Sequence, residues 1–474
     1  MESEQKFSRT TLTAMVVGSM VGAGIFSLPA RFGAATGPFG AIVAWIIAGG
    51  GMLMLAFVFQ SLAVRKPDLD AGIFAYAQAG FGDFLGFAAA FGFWAGSCLG
   101  NVTYFILIKS TLGAFFPIFG DGNTPAAVII SSIILWAVHF MILRGIQGAA
   151  YINKVVTVAK IVPILVFIGI MAFAFKYDLF AASFWGGGDY SAVDIFNQVR
   201  STMLVTVFVF IGIEGASVYS RYAKRREDVG WATVIGFIGV LCLLVLVTLL
   251  PYAVMQRAEL AGLRQPSMAG ALEFVVGPWG LKFVSVGLII SVLGAYLAWS
   301  LLAAEALYAA SKYKLVPKRL GHENQHQVPS AALWVTNILV QIFLVLTMFA
   351  RDAFDLALEM TSAMTLIPYV LVAGYALKLA LTRETYEPGT RDLSRDLTWA
   401  AIATVYTLFM LWAGGLKFLL LACIIFAPGA LLFIIARREQ AAPVFTTAEK
   451  GLYAVVVAGA VAGIYALVSG LIAI

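Results

Sequence analysis

The chain has 474 residues, 61% hydrophobic and 12% charged, where ordinary soluble domains are roughly a quarter charged. With a mean hydropathy of +0.92, that balance excludes a soluble enzyme, a secreted disulfide scaffold, a nucleic-acid binder and a disordered hub. The net charge of +6 would draw anionic partners if spread over a soluble surface, but in a membrane chain its position matters more than its sum.

The polar N-terminus MESEQKFSRTT leads into a long apolar segment without a small-residue cleavage site, which reads as a retained first helix and not a signal peptide. From there, apolar runs separated by polar or Gly/Pro-rich breaks predict about thirteen membrane-spanning helices. They lie near 11–32, 38–64, 82–116, 125–144, 150–175, 199–220, 229–253, 278–311, 330–349, 354–380, 396–414, 417–436 and 450–473. The positive-inside rule supports this count. With the N-terminus inside, twenty-one of the 31 Lys and Arg residues fall on the cytoplasmic side, among them Arg65, Lys66, Arg221, Lys224, Arg225 and Arg437. Nine, including Arg257, Arg264 and Arg351, fall outside, and Lys160 alone stands in mid-span. The charge therefore reads as a cytoplasmic skirt beside anionic lipid. An odd number of spans puts the C-terminus outside.

Cys98, Cys242 and Cys423 all lie in apolar segments without metal-ligand spacing and read as small packing residues. His322 and His326 have an H-x-x-x-H spacing, but in a polar loop, and read as solvated residues instead of a metal site. No H-E-x-x-H, G-x-S-x-G or G-x-x-x-x-G-K-[ST] occurs, so neither an intramembrane enzyme nor an ATP-driven pump is indicated.

Two spans carry glycine where a lipid-facing helix would not: GSMVGAGIFSLP, Gly18 to Pro29, and FVFIGIEGAS, Phe208 to Ser217. Close helix packing explains a single Gly-x-x-x-Gly. Two such clusters five spans apart point instead to paired broken helices, whose unwound backbone must line a cavity or be buried in protein. Charges inside spans sharpen this, because each costs about 2.5 to 3.5 kcal/mol unless partnered or facing water. Lys160, Glu214 and Glu305 are such charges, with structural ion pairing as the alternative for each. Glu305 is also close enough to a helix end to reach a loop. Asn101, Thr103, Thr361 and Thr365 either line a pathway or make interhelical hydrogen bonds. Trp299, in mid-span, is either packing or a face for a cation, worth roughly 2 kcal/mol when desolvated.

GSMVGAGIFSLP, the GIEGAS break, Lys160 with Pro163, WSLLAAEALYAASKYKLVP and the loop RKPDLDAGIFAYAQAGFGDFLGF together resemble the amino acid–polyamine–organocation superfamily. Within it the chain resembles the basic amino acid/polyamine antiporters, most closely the arginine/ornithine antiporter group, along nearly its whole length. The resemblance implies an all-α, LeuT-like fold with a five-plus-five inverted repeat, about 11–176 and 199–380. Residues 1–380 would form the transport core and 381–474 peripheral helices.

The resemblance also implies a site. The substrate carboxylate would meet amides around Met20, Ala23 and Gly24, and its amino group carbonyls near Phe208 and Ile211. Its cationic side chain would extend toward Ser97, Asn101, Trp299 and Thr361. Glu214, Phe93 and Tyr369 correspond to gating positions, and Lys160 to a lysine that replaces a coupling sodium ion. Ala23, Phe208 and Phe93 stand where the arginine/agmatine exchangers carry serine, tryptophan and tyrosine, which argues against agmatine. The implied activity is sodium-independent exchange of cationic amino acids, arginine for ornithine, in a bacterial inner membrane, with no metal or cofactor. Lysine or histidine exchange and proton-coupled symport are the alternatives. The implied partners are the small-molecule substrate and lipid, not nucleic acid; homo-oligomerisation is compatible with the sequence.

Overall fold

A computed structural model describes residues 9–69, 72–145, 149–187, 190–214, 226–350, 352–386 and 391–472. Every regular element among them is helical. Helix α1 (Arg9–Met20) gives way to a 3-10 turn (Ala23–Ser27) and then α2 (Leu28–Ala35). There follow α3 (Pro38–Arg65), α4 (Ile73–Phe81), α5 (Asp83–Gly113), α6 (Pro125–Leu143), α7 (Ala149–Phe173), α8 (Tyr177–Ala182) and α9 (Ala192–Phe210). The second half runs through α10 (Arg226–Leu249), α11 (Arg257–Ala261), α12 (Ser267–Val276), α13 (Pro278–Lys312), α14 (Ser330–Leu346), α15 (Ala353–Thr382), α16 (Arg391–Ala413), α17 (Gly415–Glu439) and α18 (Thr447–Val468).

Among the described residues, ten helices are long and apolar enough to cross a membrane. The number is eleven when Leu12–Met20 and Ala23–Ala35, bent by 46°, count as one broken span. Helices also lie over the predicted spans at 150–175 and 330–349: α7 over Ala149–Phe173 and α14 over Ser330–Leu346. The sixth predicted span differs most. Its helix starts at Ala192 behind a Ser191 cap and leaves helical geometry at Ile211, while Arg221, Lys224 and Arg225 lie outside the described residues. The connection between the seventh and eighth spans holds two short helices with no counterpart in the predicted spans. A Gln256–Glu259 capping box opens α11 and Gly277 in a left-handed conformation closes α12; both are too short to show an apolar period.

The chain folds into two compact units of interleaved sequence. The first comprises Met1–Ala56, Tyr104–Val128 and Gly148–Tyr296. Lipid is as apolar as leucine, so burial alone does not hold helices together in a membrane; packing and hydrogen bonds do. An aromatic run supplies the packing: Phe32 stacks on Trp45 at 5.2 Å, Trp45 meets Phe210 edge-on at 5.9 Å, and Phe210 stacks on Phe237 at 5.1 Å. Such pairs are each worth about 0.5 to 1.5 kcal/mol beyond burial. At the end of α2, orphan backbone carbonyls receive side-chain donors. Arg257 Nε donates to Gly33 O at 2.9 Å and Tyr252 OH to Thr36 O at 2.7 Å.

The second unit comprises Phe57–Thr103, Ile129–Gln147 and Leu297–Ile474. Gly92, Gly96 and Gly100, on one face of α5, let it pass close to α15; a Cβ at Gly96 would stand 2.8 Å from Thr365 Oγ1. A polar seam joins α6 to α14. Trp136 Nε1 donates to Gln341 Oε1 at 3.1 Å, Gln341 Nε2 to Ser132 Oγ at 2.9 Å, and Asn337 Nδ2 lies 2.9 Å from His139 Nδ1. Measured hydrogen bonds of this kind between membrane helices average about 0.6 kcal/mol.

Cys98 is buried as expected, but Cys242 is exposed on α10, because the apolar surface of a membrane helix need not face protein. His322 and His326 are exposed, and no group of three or more possible metal ligands occurs among the described residues.

Candidate functional site

The first unit gathers the residues assigned to the substrate backbone. Helix α1 stops at Met20, and Gly22 enters the 3-10 turn with extended backbone, φ −110° and ψ −158°. Span six breaks in the same manner: α9 ends at Phe210 and Ile211 turns out at φ −58°, ψ 131°. The two breaks touch. A Cβ on Gly24 would lie 2.7 Å from Val209 Cγ1 and 2.8 Å from Phe208 Cδ1, so only glycine lets the first break settle against the second. Gly212 has φ +109°, and a Cβ there would strike Ser19 O at 2.4 Å. Ser19 Oγ donates to Gly212 O at 3.0 Å, tying one broken span to the other. Met20, Ala23, Phe208 and Ile211 are all buried at this crossing.

Lys160 is 7% exposed and donates from Nζ to Gly18 O at 3.1 Å. Gly18 is in the last turn of α1, where carbonyls lack intrahelical partners and the helix end is partially negative. A lysine from α7 therefore satisfies an orphan acceptor and complements the helix dipole at once. Glu214, also buried, bends back on its own turn: Oε2 accepts from Gly212 N at 3.1 Å. Glu305 is exposed, so it is not one of the buried charges. Its position near a helix end explains it without a functional role.

The second unit gathers the residues assigned to the substrate side chain. Phe93 on α5 lies 6.4 Å from Trp299 on α13, ring to ring, at 40°. About two turns further along α5, Asn101 Nδ2 reaches Ser300 Oγ at 3.5 Å. Its Oδ1 is buried with no hydrogen-bond partner, an arrangement costly unless a donor arrives. Thr361 on α15 approaches Gly100, where a Cβ would be 3.5 Å from its Cγ2. The hydroxyls of Ser97, Thr103, Thr361 and Thr365 each donate to a carbonyl four residues back in their own helix, at 2.7 to 3.0 Å. None of these four bonds crosses to another helix, because an in-helix acceptor is always within reach of a short hydroxyl side chain. Tyr369 is fully buried against Phe59, ring centroids 6.0 Å apart.

Three contributors are not singled out individually in the sequence: Ser19 and Val209, which lie inside the two glycine-bearing stretches, and Ser300. Ser19 and Ser300 each adjoin a residue that was singled out, Gly18 and Trp299, and their sequence signal is only a small polar residue within an apolar run.

The chain is similar to known proteins of one family. The amino acid permease family matches residues 7–461. An arginine/ornithine antiporter of Pseudomonas aeruginosa is 53% identical over 475 aligned positions, covering 99% of this chain and 98% of that protein. An L-lysine transport protein of Corynebacterium glutamicum is 40% identical, covering 97% and 95%. The crystal structure of MhsT in complex with L-phenylalanine is similar in fold, with a TM-score of 0.59 at 15% identity, covering 87% of this chain and all of MhsT.

Proposed function

We propose, from the premise that this chain belongs to the amino acid permease family and within it to the arginine/ornithine antiporter group, that it exchanges arginine for ornithine. It is an all-α, multi-pass membrane transporter of LeuT-related fold, and not an enzyme. The extensive likeness to the Pseudomonas aeruginosa antiporter carries the choice of substrates. Thirteen spans, a five-plus-five repeat within 1–380, peripheral helices over 381–474, a cytoplasmic N-terminus and an external C-terminus complete the proposed architecture.

Arginine and ornithine each carry about one positive charge, so one-for-one exchange moves no net charge and the membrane potential does no net work. A cation of this kind does not cross hydrocarbon unaided. The breaks at Met20–Gly24 and Phe208–Ile211 are assigned to the α-carboxylate and α-amino group, in keeping with half-helix ends that bind charged ligand groups. Ser97, Asn101, Trp299 and Thr361 are assigned to the cationic side chain. Asn101 Oδ1 is the acceptor awaiting a donor, and Trp299 offers an aromatic face. Glu214, Phe93 and Tyr369 are assigned to gating. Lys160, fixed on Gly18 O, stands in for a coupling cation, so transport proceeds without sodium.

Counterflow in proteoliposomes tests this. Internal ornithine should accelerate labelled arginine uptake with or without sodium, whereas uptake indifferent to internal amino acid, or dependent on sodium, would refute exchange as stated. The likeness to the L-lysine transport protein supports one second reading, lysine as the exchanged substrate, which the same assay separates by trading internal ornithine for lysine.

A further inference from the structure

Away from these residues, the second unit holds a densely paired carboxylate. Asp396, in the second turn of α16, is 4% exposed. Its Oδ2 accepts from Arg65 Nε at 2.7 Å, Ser61 Oγ at 2.8 Å and Tyr386 OH at 3.2 Å. Its Oδ1 accepts from Arg395 Nε at 3.0 Å. Arg65, the last residue of α3, also donates from Nη1 to Thr385 O at 3.1 Å, and its Cζ lies 3.7 Å above the Tyr386 ring. Asp392 stands further off, 3.8 Å from Nη2. Thr385 Oγ1 is buried beside this group without a partner. The surrounding cleft is walled by Leu62, Ala376, Leu379 and Trp399.

Each surface of the Arg65 head group meets what a guanidinium, and not an ammonium, requires. One edge meets a carboxylate oxygen, another N–H meets a backbone carbonyl, and the flat face lies on an aromatic ring. An ammonium has no flat face and directs its three donors differently. We propose that Ser61, Thr385, Tyr386 and Asp396 form a guanidinium-binding site that Arg65 of the same chain fills, and that a free guanidinium cation takes its place once that side chain is removed. Arg65 thereby acts as a positioning residue that fixes the end of α3 to the start of α16. The binding is intramolecular, so the tethered group outcompetes millimolar free ligand in the intact chain.

The test uses the purified full-length protein and reads thermal unfolding, so it is independent of which amino acids are transported. Guanidinium is the probe because arginine itself would also load the proposed transport site. Arg65→Ala should melt about 5 °C below the parent and regain about 2 °C in about 10 mM guanidinium chloride. Equal sodium or ammonium chloride should restore none of it. The parent should not respond, and adding Asp396→Asn to Arg65→Ala should abolish the gain. Guanidinium no better than ammonium, or equally effective without Asp396, overturns the proposal. If Arg65→Ala does not fold, Arg65→Lys decides: a melting temperature equal to the parent's shows that the site reads charge alone and overturns the proposal, whereas a clear loss upholds it.

Discussion

The first unit crosses its helices by breaking them, and the second crosses them whole. At Gly22 and Ile211 the backbone leaves helical geometry, and a glycine at 24 lets the two breaks meet. In the second unit α15 and the portions of α5 up to Thr103 and of α13 from Leu297 show no such break, and the groups presented are side chains: Asn101, Trp299 and the Phe93 ring. Backbone amides and carbonyls cannot distinguish one amino acid from another, whereas an indole face and an amide oxygen can. The proposed division of labour follows. On the proposed assignments, the broken crossing would serve what all amino acids share, and Asn101 and Trp299 what tells them apart.

The largest expected effect is at the broken crossing. Gly24→Ala places a methyl group 2.7 Å from Val209 and 2.8 Å from Phe208, both buried, so the breaks must separate. A displacement near 1 Å at a reacting or binding geometry costs about 100-fold. Exchange should fall by about that factor for arginine, ornithine and lysine alike, measured by counterflow on protein that still elutes as a single species. A loss confined to one substrate would dissolve the division between the units.

Lys160→Met comes next. It removes a charge-assisted hydrogen bond to Gly18 O, worth about 1.5 to 3 kcal/mol, and leaves an orphan carbonyl at the end of α1. Exchange should fall by about 10- to 100-fold for all substrates, again without discrimination. A Lys160→Met protein that exchanges at the parent rate would remove the lysine from the coupling assignment.

At the unbroken crossing the effects should be smaller and selective. Trp299→Leu deletes the aromatic face and should weaken cationic substrates by about 30-fold, in line with roughly 2 kcal/mol for a desolvated cation–π contact. Trp299→Phe keeps a face and should lose only a few-fold. Competition binding with arginine and a neutral amino acid distinguishes the cases; equal loss from both variants would leave Trp299 as packing alone.

The contrast also explains what was legible in the sequence. Helix limits marked by local chemistry came through: Pro38 and Arg65 bound the second span, and Pro278 and Lys312 the eighth. Proline suits a first turn and a basic residue a last one. The break at Gly18–Pro29 was legible because glycine and proline act on their own dihedrals. The Arg65–Asp396 pairing was not, since 331 residues separate its members and Asp396 reads in sequence as one more polar residue at the start of a peripheral helix. The hydroxyls of Thr361 and Thr365 were legible as polar groups in an apolar run but not in their partners, because hydroxyl rotors choose between their own helix and a neighbour on tertiary grounds.

The smallest expected effect lies beside the Arg65 cluster but outside it. Lys66 pairs with Glu384 at 2.7 Å, the lysine 20% exposed and the carboxylate 54%. The hydrogen bond it donates to Glu384 holds the Lys66 ammonium above its ordinary value of 10.5, against the opposing cost of burial. A lysine raised on folding contributes stability that is fully present below its unfolded value and fades as pH rises through the folded one. Between pH 6 and 9, then, the difference between Lys66→Met and its parent should be constant, and it should shrink only above about pH 10.5. With Glu384 more than half exposed, solvent and salt screen the pair, so the cost should stay below about 1 kcal/mol and fall further at high ionic strength. Exchange should be unchanged. Thermal unfolding across pH and salt checks this: a loss that grows from pH 6 to 9, or resists salt, would mean that Lys66 is bound into the Asp396 cluster and shares its latching role.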